Sequence, residues 1–456
     1  MMEKNSWTRD PFRAAMMIKP CGRVIAAISA FLCAAFFFAV MRITDASGMT
    51  GSAVIALCGA VGAAILFWSM AVALKGEEQP LVVWLWVMLL CLLAVTAHLT
   101  MLDIKPGRYS KVLAPLFDDM WNYELLTGMA WADDGWSGVY LIVCALISRL
   151  ENFSRLYAVK LVDMLCQCMC AAAAVRLVRV RGGKAPAAIA AMLACVLAPT
   201  MLMNAGCWAQ CDATFAMFTL WGLYFLLDDH PLPGCILWGV ALATKLQSAF
   251  LFPLLIVLFM NRKVSLWHML ALAAAAFFAQ IAIVLDGQGV MEILTRYDEQ
   301  LMIARESFGL ADHAPGVFSL MNVASVREFS GMGLYLGVAA ALIVVAAMLR
   351  SRREVTKEMV LLAALLLATG LPLILPQMNA RCLYLAGMLA FCMADSPRRI
   401  ACAVTLEIVS LFSYMESIFS LTLIPMNVLS LIAIGVAAVI AEELVRLLIT
   451  PQEAQA

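Results

Sequence analysis

Long apolar stretches separated by short polar turns run through almost the whole chain. A bilayer core about 30 Å thick needs about 20 apolar residues as helix. Stretches of that kind run near residues 24–42, 50–74, 80–102, 156–175, 185–203, 264–285, 331–349, 358–376, 400–420 and 426–448. Weaker ones lie near 213–227, 232–245, 248–260 and 381–394. The pattern predicts an all-α fold, a polytopic transmembrane helical bundle forming a single integral membrane domain over residues 1–456. The first stretch is too long for a signal-peptide core and no clear small-x-small cleavage site follows it, so it reads as a retained anchor.

Basic residues set the expected orientation, because cytoplasmic loops collect Lys and Arg. Clusters occur at Lys4, Arg9, Arg13, Lys19 and Arg23, and at Arg176, Arg179, Arg181 and Lys184. Others follow at Arg262–Lys263, at Arg350, Arg352, Arg353 and Lys357, and at Arg398–Arg399. All of them face the cytoplasm only if an even number of crossings separates consecutive clusters. The short apolar stretch 138–150 must then be re-entrant or interfacial, and 232–245 and 248–260 must be two short passes. About fourteen spans result, in a cell-membrane protein with both termini cytoplasmic. Two large outer loops are expected, 103–155 and 286–330, with small outer tips at 204–212, 245–247 and 377–381.

Composition agrees with this picture and narrows the partners. The chain is 64% hydrophobic and 14% charged, where soluble proteins average about 25% charged. Its 31 basic and 31 acidic residues cancel, which argues against an overall basic nucleic-acid binder and leaves membrane lipids as the surroundings. Most of the 15 cysteines lie in apolar stretches and match no zinc spacing, so no metal ligands are assigned among them and any divalent metal stays open. Cys207 and Cys211 flank a polar turn and are expected as free thiols.

Polar residues at membrane depth are costly and mark sites. The outer tip Asn204-Ala-Gly-Cys-Trp208-Ala-Gln210-Cys-Asp212 would, if helical, put Trp208 and Asp212 on one face with Gln210 off it. The next tip offers Lys245 and Gln247, and a later one Gln377, Asn379 and Arg381. The first outer loop adds Asp103, Arg108, Tyr109, Asp118, Asp119, Asp133 and Asp134, interleaved with Trp121, Trp131 and Trp136. Carboxylates, cations and aromatics on one side of a membrane suit an anionic, sugar-like headgroup. Structural roles fit the rest: Lys160 and Asp163 as an ion pair one turn apart, His98 and Glu407 as satisfied interior groups, Asp133–Asp134 as a solvated turn, and Trp121 and Trp131 as an interfacial belt.

At these residues the sequence resembles the GT-C membrane glycosyltransferases. The run Asn204 to Asp212, followed by Gly234, Gly239, Lys245-Leu-Gln247 and Pro253, looks like their N-S/A-x-x-W-G-Q-x-D … K-x-Q … P signature. The branch it resembles is the bacterial mannosyltransferases related to GPI mannosyltransferase II, over roughly residues 100–395. That likeness takes in Leu156-Tyr157-x-x-Lys160, Tyr297, Gln300 and Leu375-Pro376-Gln377-Met378. It implies transfer of a mannose-like hexose from a polyprenyl-phosphate-linked donor to an acceptor hydroxyl at the outer face. The partners would be that lipid-linked donor and a glycan or lipid acceptor, with no cofactor besides the donor. The resemblance further implies an acidic catalytic residue in the first outer loop, and Lys245 and Arg381 are suited to a leaving lipid phosphate.

The chain departs from the pattern at several places. Gly107-Arg108-Tyr109 stands where relatives read Ser/Gly-Asp-Tyr, so an Arg replaces the expected acid. Asn379 and Ala380 stand where relatives carry His and Asp, and Ala209 replaces the Gly of W-G-Q. A base must then come from elsewhere, with Asp119 and Asp118 favoured because they open an expected amphipathic helix over 118–129. Trp208, Gln210, Asp212, Lys245, Gln247, Arg381, Arg108 and Tyr109 are the expected substrate-binding residues. Three readings stay open: a glycosyltransferase, a catalytically degenerate GT-C-like protein binding a lipid-linked glycan or partner, and a transporter or flippase.

Overall fold

The computed structural model describes residues 17–18, 31, 34–35, 38, 48–75, 79–107, 109–123, 136–284, 289–321, 326–351 and 354–449. The expected anchor at 24–42 and both chain termini lie largely outside these residues. The described chain is helical almost throughout. Its strands are two-residue ladders, Met17–Ile18 with Gln79–Pro80 and Ala311–Asp312 with Met378–Asn379.

Two long apolar helices come first, α1 (Gly48–Ala73) and α2 (Leu81–Thr100). A π turn over Tyr109–Leu113 leads into α3 (Ala114–Asn122), an amphipathic helix that Pro115 helps to start. The helix expected over 118–129 therefore begins four residues earlier, and Asp118 and Asp119 sit within it rather than at its opening. α3 buries Leu116, Phe117 and Met120 against Leu141 and Cys144 of α4 (Gly138–Ser148), in a satellite core beside the main bundle. At 11 residues α4 is about 16 Å long, too short to cross a bilayer, as a re-entrant or interfacial segment should be.

The bundle continues with α5 (Arg155–Val180) and α6 (Ala185–Leu197), which bends by 41° at Ala198 into α7 (Pro199–Cys207). Pro199 lacks the N–H that would carry the helix through the bend. Then come α8 (Asp212–Leu227), α9 (Pro231–Thr244), α10 (Pro253–Met260), α11 (Leu266–Ala279) and the charged helix α12 (Glu292–Phe308). Helices α13 (Val326–Arg350), α14 (Lys357–Ile374), α15 (Tyr384–Met393), α16 (Pro397–Phe419) and α17 (Met426–Ile449) close the chain.

Among the described residues, 8 helices are long and apolar enough to span a membrane, or 9 with the bent α6–α7 pair. The count of about fourteen is not reproduced. Besides the anchor, the difference falls on α8, α9, α15 and the Leu246–Met260 segment, apolar but shorter than 18 residues. Helices α5 and α14 form the interior, each 72% buried over its most apolar window, whereas α13 is 28% buried. Outward faces carry Leu85, Trp86, Leu89, Trp267, Phe278, Tyr335 and Ile343, an apolar perimeter that needs lipid. Inside, backbones approach closely at small residues: a Cβ on Gly222 would run into Trp238, and one on Gly234 into Leu226.

Several of the turns between bundle helices gather at two ends. Residues 101–104, 204–212, 245 and 379–381 meet at one end, where Gly206 lies against Met101. Residues 181, 358, 395 and 399 meet at the opposite end.

Candidate functional site

The site is built on the turn between α7 and α8. The last turn of α7 is a π turn, with the Trp208 N–H donating to the Met203 carbonyl at 2.9 Å. The chain then passes through Ala209 in the left-handed region at φ 51°. A Cβ is strained there and a glycine is not, which gives a physical reason for the Gly in the W-G-Q pattern. This kink ends the helical register. Gln210, expected off the shared face, instead turns inward with Asp212.

Asp212 is the first residue of α8, where the helix dipole favours negative charge. Its side chain is 3% exposed and is held by three partners. Lys245 Nζ forms an ion pair with Oδ1, Arg381 Nη1 lies 3.2 Å from Oδ2, and Asn204 Nδ2 donates to Oδ2 at 2.9 Å. Arg381 also donates to Gln210 Oε1 at 2.6 Å and stacks its guanidinium 5.2 Å from the Trp208 ring centre. Tyr414 of α16 packs edge-on against Trp208 at 5.2 Å and accepts a hydrogen bond from Asn204 at 3.1 Å.

Each cation is delivered by a local break in a helix. Lys245 follows the last residue of α9 in extended geometry, with its ammonium 5.1 Å from the Phe215 ring centre. Gln280 caps this end of α9 by donating to the Ala243 carbonyl at 3.1 Å, and its Oε1 accepts the Gly138 N–H that opens α4. A Cβ on Gly138 would fall 2.8 Å from the Gln280 backbone, so only glycine fits. Arg381 sits in the turn between α14 and α15, which is anchored by the ladder of Met378–Asn379 to Ala311–Asp312. Within it Asn379 Oδ1 accepts the Arg381 N–H at 3.1 Å.

The cluster is not saturated. Arg381 Nε and Gln210 Nε2, both donors, and Asn204 Oδ1, an acceptor, are buried without a hydrogen-bond partner among the described residues. Two cations face one carboxylate in a largely desolvated setting. Such an arrangement can receive one further anionic group.

The other expected site residues lie apart from this cluster. Gln247 is half-buried in the Leu246–Leu251 turn and joins none of the cluster's hydrogen bonds. Tyr109 is half-buried beside Phe117, and burial pushes its phenol above the ordinary value, with Arg155 opposing. Asp118 pairs with Arg155 at 2.7 Å on the surface, its side chain 71% exposed, and Asp119 is exposed. Arg108, Trp131, Asp133 and Asp134 lie outside the described residues. The expected Lys160–Asp163 pair is absent: Lys160 Nζ turns to the carbonyls of Met101, Leu102 and Ile104 at 2.6, 3.2 and 2.6 Å, just past the end of α2. His98 is held by Gln167 and Ala94, and Glu407 by the N–H and hydroxyl of Thr200, as interior polar groups should be. Cys207 and Cys211 are free thiols. Tyr414 was not foreseen from the sequence; its only signal there was an aromatic hydroxyl within an apolar stretch. Among the described residues no three His, Cys, Asp or Glu side chains gather as metal ligands.

A multi-pass helical bundle with a cation-rich cluster at one end is an integral-membrane protein with a built polar site. The sequence profile of Glycosyltransferase family 87 matches residues 138–376, more than half of the chain and a stretch that includes Asp212 and Lys245. The chain belongs to this family, which is of the GT-C type, and glycosyl transfer is its class of activity. No curated protein matches it.

Proposed function

We propose that the protein transfers a mannose-like hexose from a polyprenyl-phosphate-linked donor to an acceptor hydroxyl on a glycan or lipid at the outer face of the cell membrane. The observation that carries this reading is the charge imbalance at Asp212, where Lys245 and Arg381 share one carboxylate and buried donors stay unfilled. A glycosyl phosphate supplies the missing anion. As the sugar–oxygen bond breaks, charge builds on the leaving phosphate, and preorganised cations lower that barrier. Lys245, the more exposed of the two at 26%, makes the first contact, and Arg381 and Gln210 complete it. Trp208, Gln247, Tyr109 and Arg108 are the remaining substrate-contact candidates.

Asp212 is consumed by its partners and serves as their anchor, so the proton of the acceptor hydroxyl goes to another group. Asp119 is preferred to Asp118, whose carboxylate is already engaged by Arg155. The likeness to mannosyltransferases related to GPI mannosyltransferase II supports the choice of sugar. The clustering of Lys and Arg at 176–184, 262–263 and 398–399 supports a cytoplasmic opposite end, with both termini on that side.

Purified protein in lipid should release polyprenyl phosphate from a labelled polyprenyl-phosphate hexose when given an acceptor. Lys245→Ala should cut that release about 10²–10³-fold, and full activity in this variant would overturn the assignment. Asn379, whose side chain folds back on the Arg381 N–H, and Ala380 supply no acid or base next to Arg381. That feature favours a second reading, a binding protein without turnover. Saturable binding of the lipid-linked sugar with no product under any condition would select it.

A further inference from the structure

The bend at Ala198 takes α7 out of the hydrogen-bond ladder of α6. Pro199 has no N–H to offer, and the Thr200 N–H, which in an unbroken helix would reach the carbonyl four residues back, is turned aside. It donates instead to Glu407 Oε1 at 2.8 Å, and the Thr200 hydroxyl donates to Oε2 of the same carboxylate at 2.7 Å. Ala198, at the cap position, has no side-chain group for this purpose. Glu407 comes from the middle of α16 and serves as the missing cap from across the bundle, at the end of α7 where the helix dipole favours negative charge.

The same two helices meet again inside the site. Thr200 and Asn204 are four residues apart on one face of α7, and Glu407 and Tyr414 are seven apart on one face of α16. Asn204 Nδ2 reaches both the Tyr414 hydroxyl at 3.1 Å and Asp212 Oδ2 at 2.9 Å. One residue before Tyr414, the Ser413 hydroxyl donates to the His313 carbonyl and lies 3.5 Å from the carbonyl of Ala380, the neighbour of Arg381. α16 therefore touches both turns that supply the cluster, and Glu407 fixes where α7 lies along it. A carboxylate in an apolar span is costly, and here both oxygens are spent on one residue at a helix break. α16 begins after the stretch that the family profile matches, so this brace is not part of what that match implies.

We propose that Glu407 is a positioning residue for glycosyl transfer: by capping α7 from α16 it sets the orientation in which Asn204 presents Asp212 to Lys245 and Arg381. The inference rests on placing the site at Asp212. The Glu407 carboxylate is engaged by Thr200, so it acts through α7 and takes no part in bond making. Without it α7 can pivot about Ala198, carrying Asn204 and Trp208 along. Misplacement of reacting groups by about 1 Å can cost about 10²-fold in rate.

Two readouts on purified full-length protein in lipid test this: turnover of a labelled polyprenyl-phosphate hexose, and site-resolved alkylation of Cys207, the half-buried thiol that ends α7. Glu407→Leu should speed Cys207 alkylation several-fold and lower the kcat of the folded fraction by about 10- to 10²-fold, with a smaller change in the KM for donor. Glu407→Gln keeps an oxygen for the Thr200 N–H and should recover most of both. A wild-type kcat in folded Glu407→Leu overturns the proposal, because the residue then braces the fold alone. Unchanged Cys207 reactivity overturns it too, and that readout needs no donor. Should Glu407→Leu fail to fold, Thr200→Val, which removes one of the two hydrogen bonds, decides, and a wild-type kcat there overturns the role. Lys245→Ala separates this inference from the reading it rests on. If that variant loses turnover while Glu407→Leu keeps it, only the positioning role fails; if Lys245→Ala keeps full turnover, the site itself is misplaced.

Discussion

The two ends of the bundle both gather charged side chains, one in balance and the other with a cation in excess. At the end away from the site, Arg399 contacts Glu358 at 2.6 Å, Asp395 at 3.0 Å and Glu443 at 2.5 Å. Arg181 reaches the same Asp395 at 2.5 Å and donates to the Cys392 carbonyl at 3.0 Å. Arg398 and Arg446 share Glu442 beside them, so four arginines meet four carboxylates, and the three carboxylates that Arg399 contacts are 19–38% exposed to water. At the site end two cations face one carboxylate that is 3% exposed, with donors left over. The first network is complete with its own residues and solvent, and it clasps α14, α16, α17 and the α5–α6 turn. The second leaves a cation in excess and buried donors unfilled, which is the basis for proposing an anion from outside. A count of salt bridges would rank the two alike; their burial and net charge separate a clasp from a binding site.

The sharpest way to break this contrast is to remove the buried anchor. Asp212→Ala leaves two adjacent cations without a counter-ion, a change expected to cost about 3–5 kcal/mol and to be visible in thermal unfolding. Lys245→Ala takes away a partly exposed cation, so the fold should persist while turnover falls about 10²–10³-fold, the usual cost of one transition-state electrostatic partner. Arg399→Ala, at the other end, should lower Tm and leave turnover of the surviving protein at the wild-type level. Equal effects on turnover from Lys245→Ala and Arg399→Ala would erase the distinction.

A smaller effect should come from the brace behind Lys245. Gly138 has no room for a Cβ against the Gln280 backbone, and Gln280 ties the start of α4 to the end of α9. Gly138→Ala forces those segments apart and should cost about 1–3 kcal/mol, typical of overpacking. Turnover should fall along with Tm, because the displaced segment carries Lys245. A drop in Tm with unchanged kcat would mean that α4 supports the fold but not the site.

How far the sequence was readable follows from the range of the forces involved. Apolar periodicity is local, and it located the long helices and the shorter apolar helices α4, α9 and α10. Asp212, Lys245 and Arg381 were readable because each is a polar residue at a break between apolar stretches. The role of Gln210 was not, since a π turn and a left-handed Ala209 override the helical register that its spacing suggests. Lys160 and Asp163 have good spacing for a pair, yet the carbonyls just past α2, 56 to 59 residues away, capture the lysine. Tyr414 closes the cluster from 210 residues beyond Asn204, a separation at which pattern carries no information.

Ala209 gives a test of opposite sign. Its φ of 51° is costly for any residue with a Cβ, so Ala209→Gly should stabilise the protein by about 1 kcal/mol, and Tm should rise. The gain is bounded, because glycine also gains freedom in the unfolded chain. An unchanged or lower Tm would mean that the Ala209 methyl, 2% exposed, contributes packing that outweighs its strain.

The smallest effect should come from acid, and it should act on the clasp. Burial alone would raise Asp395, but Arg181 and Arg399 outweigh it and hold the carboxyl below its ordinary value of 3.8. A carboxyl depressed in the folded state contributes stability that is complete above the unfolded value and is lost as pH falls through the folded one. The Asp395 contribution is therefore intact at neutral pH and fades only below about pH 3.8. Its partial exposure keeps that contribution small. Asp395→Asn removes it at every pH, so the Tm difference between wild type and variant should be constant from neutral pH down to about pH 5 and narrow below pH 3.8. A difference that widens on acidification would reverse the sign of the coupling and deny Arg181 and Arg399 their part in holding this end closed.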